Sequence, residues 1–265
     1  MTPNPESRRG EWCQRTQLLV GTAGMRVLRD AHVVVFGVGG VGSFAAEALV
    51  RAGIGRLTLV DYDVVHLSNI NRQIHADTCT VGRPKVDVMA ERLRRINPDA
   101  EVTVHQSRVL PGDAGVWLDR GVDWVVDAID EGDAKLDLLT ACVEREIKVV
   151  SSMGAAGKLL PERIRVGDIA ASRQCPLARA IRKKLRRRGI DSGIWAVYSE
   201  ELPVRLASGG FQASEPDHPG ERRAQGTLSY MPALFGLHCA STVLRDLLSD
   251  IRFERRGDTP RSRPR

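Results

Sequence analysis

Gly37, Gly39 and Gly42 stand at G-x-G-x-x-G spacing, directly after the apolar run Val33–Phe36 and directly before Ala45, Ala46 and Leu49. That order suits a buried strand turning sharply into a helix. Glycines let the chain turn and let a phosphate come close, while the unpaired N–H groups of the helix start face the anion. A turn of this kind followed by an acid is most often a dinucleotide fingerprint, so by itself it says only that a nucleotide phosphate binds nearby. Asp61, nineteen residues beyond Gly42, ends a second apolar run, where an acid suits the ribose hydroxyls. The residues that follow point elsewhere than to a nicotinamide. Asn69, Asn71, Arg72 and Gln73 share one short polar segment, Lys85 opens the next helical pattern, and Asp130 stands just past a later apolar run. A nicotinamide site needs few cations at its pyrophosphate, whereas a site that cleaves ATP needs several, with a carboxylate for magnesium. Arg72, Lys85 and Asp130 are that set.

Residues so far apart in the chain need a frame that gathers them. Apolar runs predict strands at His32–Phe36, Arg56–Asp61, Glu101–His105, Val122–Asp127 and Lys148–Ser152. Helical patterns at about Ser43–Ala52, Lys85–Ile96 and Ala134–Glu146 fall between them, with Pro84 suited to a first helical turn. This alternation predicts a Rossmann-like α/β fold, a mostly parallel sheet with helices on both faces, whose ligands bind at the carboxyl ends of the strands. Tyr62–Gly82 is too rich in Asn, His and Asp for a regular crossover helix. Short helices are expected over Glu11–Leu28. From about residue 155 the period changes, predicting a C-terminal antiparallel extension: a strand at Arg163–Ile169, a basic helix at Pro176–Arg188, a strand at Ile194–Ser199 and a closing helix at Pro232–Leu248. Residues 11–250 are expected to form a single ATP-binding domain, 1–10 a disordered N-terminus, 207–226 a mobile loop and 251–265 a basic disordered tail.

Composition narrows the class. The net charge of +6 is concentrated in Arg179–Arg188 and in the last fourteen residues, which permits a nucleic-acid partner. No apolar run approaches the roughly 20 residues that span a bilayer, and the polar N-terminus lacks the apolar core of a signal peptide, so a cytoplasmic protein without membrane contact is predicted. The five cysteines are scattered with no C-x-x-C pair, against both a disulfide framework and a structural zinc site. Three further residues read blandly: Asp127 as a strand-end cap or loop orienter, His75 as a loop hydrogen-bonder, and Cys175 as a small residue before Pro176.

Several of these motifs occur together in one superfamily. The chain resembles the ubiquitin-activating enzymes, whose bacterial members adenylate carboxylates, through Gly37–Ser43, Asp61, the Asn-x-Asn-Arg-Gln segment 69–73, Lys85 and Asp127–Asp130. Within that superfamily it is most similar to the bacterial tRNA threonylcarbamoyladenosine dehydratases, through Asn71–Ala76, Val88–Leu93, Arg95–Pro98, Asp127–Asp130, Pro176–Ala178 before the basic helix, and Phe235-Gly236 in the closing helix. The resemblance covers about 12–250. It implies an adenylation domain in which Gly37, Gly39, Gly40 and Gly42 cradle phosphate and Asp61 holds ribose. Asn71, Arg72 and Lys85 bind the triphosphate within a segment that includes Asn69 and Gln73, and Asp130 coordinates magnesium. Superfamily dimers lend an N-terminal arginine to the neighbouring site, and Arg15 is in register for it, although the residue after it departs from the pattern. Glu131 likewise stands where Asn or Ser is common. The implied partners are tRNA and a second copy of the chain; a cysteine desulfurase/sulfur-acceptor system and an alkali ion are known among relatives and have no assigned residues here. The alternative reading is an adenylyltransferase that activates the C-terminal carboxylate of a ubiquitin-like sulfur carrier, which would share every ATP residue.

Overall fold

Val33, Val34, Val35 and Phe36 are all buried, and they alternate between two cores. Val33 and Val35 face one with Leu49, Met89 and Phe235, while Val34 and Phe36 face the other with Leu138, Ile181 and Ile194. A strand buried on both faces is what a continuous run of β-branched residues produces at the centre of a helix-covered sheet. In the computed structural model, which describes residues 11–118, 121–204 and 226–253, seven strands form one sheet in the order β3-β2-β1-β4-β5-β7-β6. They are β1 (His32–Phe36), β2 (Arg56–Val60), β3 (Glu101–His105), β4 (Trp124–Asp127), β5 (Lys148–Ser152), β6 (Ile164–Asp168) and β7 (Trp195–Ser199).

Among the described residues seven α-helices surround the sheet: α1 (Gln14–Asp30), α2 (Gly42–Ala52), α3 (Lys85–Ile96), α4 (Ala114–Trp117), α5 (Gly132–Glu144), α6 (Pro176–Arg186) and α7 (Tyr230–Leu247). α1, α2, α3 and α7 supply the first core, and α4, α5 and α6 the second. α1 is broken at Gly21, in keeping with the short helices expected there. The extension is antiparallel in one strand alone. β7 adds to β5 in parallel, continuing the main sheet, and only β6 runs against its neighbour, with Ile164 opposite Ser199 and Asp168 opposite Trp195. The expectations for 1–10, for nearly all of 207–226 and for the tail beyond 253 lie outside the described residues.

The strand order fixes where a ligand can sit. From β1 the chain winds outward through β2 and β3, then returns to place β4 on the other side of β1. That reversal opens a crevice between the carboxyl ends of β1 and β4, the usual ligand position in open α/β sheets. Among the described residues no helix is long and apolar enough to cross a membrane.

Candidate active site

The glycine turn fills the crevice. Gly37 donates its N–H to Val60 O at 2.9 Å, and its φ of 83° with a Cβ position 2.7 Å from Ala128 O excludes any side chain. Gly42 is equally constrained, since a Cβ there would sit 1.8 Å from Gly37 O. The turn therefore closes on itself and on the loop after β4. No side chain caps the N-terminus of α2, where the Ser43 N–H turns back to Gly39 O at 3.1 Å, and the helix start presents its partial positive charge to an anion. Gly40 packs on Pro232 of α7 and on Arg72, and Gly39 faces the side-chain amide of Gln73.

Asp61 ties the turn to β2. Its Oδ2 accepts the Val38 N–H at 2.6 Å and its Oδ1 the Asp63 N–H at 2.9 Å, and burial raises its carboxyl above the ordinary range. Two carboxylate oxygens offer about four acceptor positions, so room remains for ribose hydroxyls. Arg72 is half-buried. Its Nη1 donates to Ser68 O at 2.7 Å and to Asn71 Oδ1 at 3.0 Å, while Asn71 Nδ2 donates to Thr227 O at 3.3 Å. Burial lowers the Arg72 guanidinium against the pull of Asp130, so the two opposite charges from β4's loop and the amide segment lie within electrostatic reach. Asp130 itself is exposed and makes no hydrogen bond among the described residues.

Two members of the amide segment turn inward. Asn69 is buried and its Oδ1 accepts the His66 N–H at 3.0 Å, shaping the single 3-10 turn Leu67–Asn69. Gln73 is 5% exposed and its Oε1 has no partner, an acceptor left open beside Gly39. Lys85 is buried too, with its Nζ 2.5 Å from Asp63 Oδ2. Arg15 lies elsewhere: it is exposed on α1 and bonds none of these residues.

The chain matches the ThiF family over residues 14–259. It belongs to that family. One similar relative is the tRNA threonylcarbamoyladenosine dehydratase of Bacillus subtilis, 40% identical over 247 residues that cover 92% of this chain and 97% of the relative. Among solved structures, the E. coli tRNA N6-threonylcarbamoyladenosine dehydratase in complex with AMP aligns with a TM-score of 0.82 at 35% identity, covering 94% of this chain and 98% of that one. The same enzyme in complex with ATP aligns at a TM-score of 0.80. The molybdopterin-synthase adenylyltransferase of Salmonella typhimurium is 40% identical over 134 residues, only 50% of this chain and 52% of that protein. The likeness to the dehydratases therefore runs the length of the ThiF-family chain, and the likeness to the molybdopterin-synthase adenylyltransferase through half of it.

Other residues that build this ThiF-family site carry no motif. Lys135 is fully buried and donates to Asp127 Oδ2 at 2.6 Å, to Ser151 Oγ at 3.2 Å and to Ser152 O at 3.0 Å. Asp127 also accepts the Ile129 N–H at 3.1 Å, so this network orients the loop that carries Asp130, the role expected of Asp127. Glu131, where the sequence departs from the superfamily pattern, receives Arg108 Nη2 at 3.1 Å, and that guanidinium lies 5.0 Å from the Tyr62 ring centroid. The three side chains link the end of β2 to the loop after β4. His75 corrects its sequence reading. It is 3% exposed with neither ring nitrogen paired, and burial, with the charges of Lys85 and Arg92, holds its pKa down to about 4. It is a neutral buried residue because the chain folds it inward, where neither ring nitrogen finds a hydrogen-bond partner among the described residues. Cys175 is buried at the start of α6, consistent with a small residue before proline.

Proposed function

We propose that this chain is an ATP-dependent dehydratase that cyclises N6-threonylcarbamoyladenosine in tRNA through an acyl-adenylate, with residues 11–250 acting as one adenylation unit. The observation that carries this reading is the full-length likeness to dehydratases, together with Arg72 and Asp130 lying within electrostatic reach of each other near the switch point, beside a helix start with no side-chain cap. The first step needs no general base, because the nucleophile is already a carboxylate. The threonyl carboxylate attacks the α-phosphorus in line; a carboxylate O–P bond forms and the bond to pyrophosphate breaks. An atom of the same modified side chain then attacks the activated carbonyl, AMP leaves, and the ring closes with the net loss of one water. No enzyme thiol takes part, and four of the five cysteines are buried.

In this reading the glycine turn (Gly37, Gly39, Gly40, Gly42) cradles phosphate and Asp61 holds ribose. Asn71, Arg72 and Lys85 neutralise the triphosphate, and Asn69 and Gln73 shape the segment beneath them. Preorganised donors of this kind stabilise charge that develops on the phosphates without reorganising at the moment of reaction. Among the described residues no group of three or more His, Cys, Asp or Glu forms a metal cage, so magnesium would be held by Asp130 together with the phosphates of ATP, as magnesium sites commonly are. Bound there, it would neutralise charge on the departing pyrophosphate. The residues assign no place to an alkali ion or to a sulfur-relay partner. Arg15 enters the reading as a residue lent across a homodimer. For the tRNA, α6 offers Arg179 and Lys183, exposed and without a carboxylate partner among the described residues, with Arg187 just beyond its end. Lys184 Nζ, 2.5 Å from Asp133 Oδ1, holds that helix against the first turn of α5, three residues past Asp130.

The test is to incubate the protein and ATP with tRNA carrying threonylcarbamoyladenosine and to weigh the digested nucleoside. Loss of one water with stoichiometric AMP is expected. An unchanged nucleoside, with AMP transferred instead to the C-terminus of a sulfur-carrier protein, would reverse the assignment.

A further inference from the structure

Lys85 does not stand alone in the site. The segment after β2 is laced to the start of α3: Val65 N–H reaches Arg83 O at 2.9 Å, Gly82 N–H reaches Val65 O at 2.8 Å, and Val64 bridges Pro84. Within this ribbon Asp63 grips Lys85 twice. Its carbonyl accepts the Lys85 backbone N–H at 3.0 Å, and its Oδ2 takes the Lys85 ammonium at 2.5 Å. The other carboxylate oxygen accepts the Val64 N–H at 2.9 Å and lies 3.2 Å from His66 Nε2. Asp63's own N–H rests on Asp61, whose second oxygen holds Val38 of the glycine turn at 2.6 Å. A continuous run of bonds thus joins the phosphate turn to the lysine head.

We propose that Asp63 is a positioning residue that aims the Lys85 ammonium at the phosphates of a bound nucleoside triphosphate. The inference rests on the ATP reading of the site. An ammonium has three donors, and one bond to Asp63 leaves two for phosphate oxygens. A lysine on a four-carbon stem otherwise samples many rotamers, so fixing its head beforehand removes an entropic cost of binding. Asp63 also balances a charge that is almost out of water: burial alone would raise its carboxyl, and the hydrogen bond and charge of Lys85 outweigh that and hold it below the ordinary range. A carboxylate beside a polyanion site makes sense on these terms and on few others, because by charge alone it repels the ligand.

That opposition supplies the test. On charge alone, Asp63→Asn tightens ATP binding; if Asp63 positions Lys85, ATP binds roughly tenfold more weakly, the loss of one hydrogen bond between charged groups. Titration calorimetry of ATP on the full chain reads the sign directly. Asp63→Glu, with the charge one methylene farther out, recovers part of the affinity, and in a Lys85→Met background Asp63→Asn adds no further loss. Equal or tighter binding in Asp63→Asn, or an additive loss beside Lys85→Met, overturns the proposal. Circular dichroism checks folding, and Asp63→Ser carries the same cycle if Asp63→Asn does not fold. A wild-type protein that binds ATP but leaves modified tRNA unchanged sinks the dehydratase reading and leaves this inference standing. A wild type that dehydrates tRNA, with Asp63→Asn binding ATP as tightly, sinks this inference alone.

Discussion

Arg72 and Asp130 come from segments nearly sixty residues apart, and the field of one is felt at the other. Neither supports the core: Arg72 bonds a carbonyl and an amide of its own turn, and Asp130 is exposed. Arg72→Ala and Asp130→Ala are therefore expected to lower AMP release by about 10²–10³-fold or more, the usual cost of a preorganised electrostatic contact. Their thermal midpoints should stay within a few degrees of wild type. Activity that survives either change would move the chemistry elsewhere. His75 gives the opposite kind of prediction, about stability alone. Its folded pKa of about 4 lies below the ordinary 6.5, so as pH falls the unfolded chain takes up the proton first. The contribution is whole above pH 6.5 and is lost progressively down to about pH 4, amounting to about 3 kcal/mol. His75→Leu removes that titration. Urea unfolding at pH 7 and pH 4.5 should show the variant losing less stability than wild type, and identical losses would place the proton elsewhere. Its burial was not visible in the sequence, where a histidine among Asn, Asp and Gln looks like loop surface.

At the scale of elements, β1, β3, β5 and α3 fall on the residues expected, because each is bounded by a Gly, Pro or Asn signal and carries one period throughout. β4 starts two residues late and α6 ends two early, each stopping short of the glycine that bounded the expected run (Gly121, Gly189) because charged residues intervene between that glycine and the apolar pattern. The basic face of α6 was legible as composition, while its place was not: the Lys184–Asp133 pair beside the Asp130 loop exists only because α5 and α6 pack together. If that face meets tRNA phosphates, reversing Arg179, Lys183 and Arg187 to Glu weakens tRNA binding while ATP binding is kept. The slope of log affinity against log salt should fall by roughly one for each tRNA phosphate that the variant no longer neutralises. An unchanged slope would return α6 to a solvated surface.

For the whole molecule, Arg15 is proposed to serve the phosphates of a neighbouring copy. It is exposed on α1 near Leu18 and Leu19, which are 74% and 72% exposed. Two large leucines on one face, beside an arginine without a carboxylate partner among the described residues, fit a surface covered by a second copy. If Arg15 serves the neighbouring site, mixing inactive Arg15→Ala and Asp130→Ala chains rebuilds one complete site in each mixed dimer, and AMP release returns to roughly a quarter of wild type after subunit exchange. No recovery, with mixed dimers verified by native mass spectrometry, would show that Arg15 acts within its own chain or not at all.

The sequence by itself determined the nucleotide-binding frame and the residue types from which the chemistry is proposed. Glycine spacing, strand period and an unusual density of amides and cations are local properties, and each follows from what a phosphate turn, a buried strand or an anion site demands of its residue types. Tertiary structure decided what those residues do to one another. The order β3-β2-β1-β4 opened the crevice and brought Arg72 toward Asp130, β7 joined the antiparallel end of the chain to the parallel sheet, and burial paired Lys135 with Asp127 and Lys85 with Asp63. A lysine or aspartate in a helix or loop carries no local mark of its partner. The pairing exists only once the chain has withdrawn the lysine from water and left the aspartate as its nearest counter-charge.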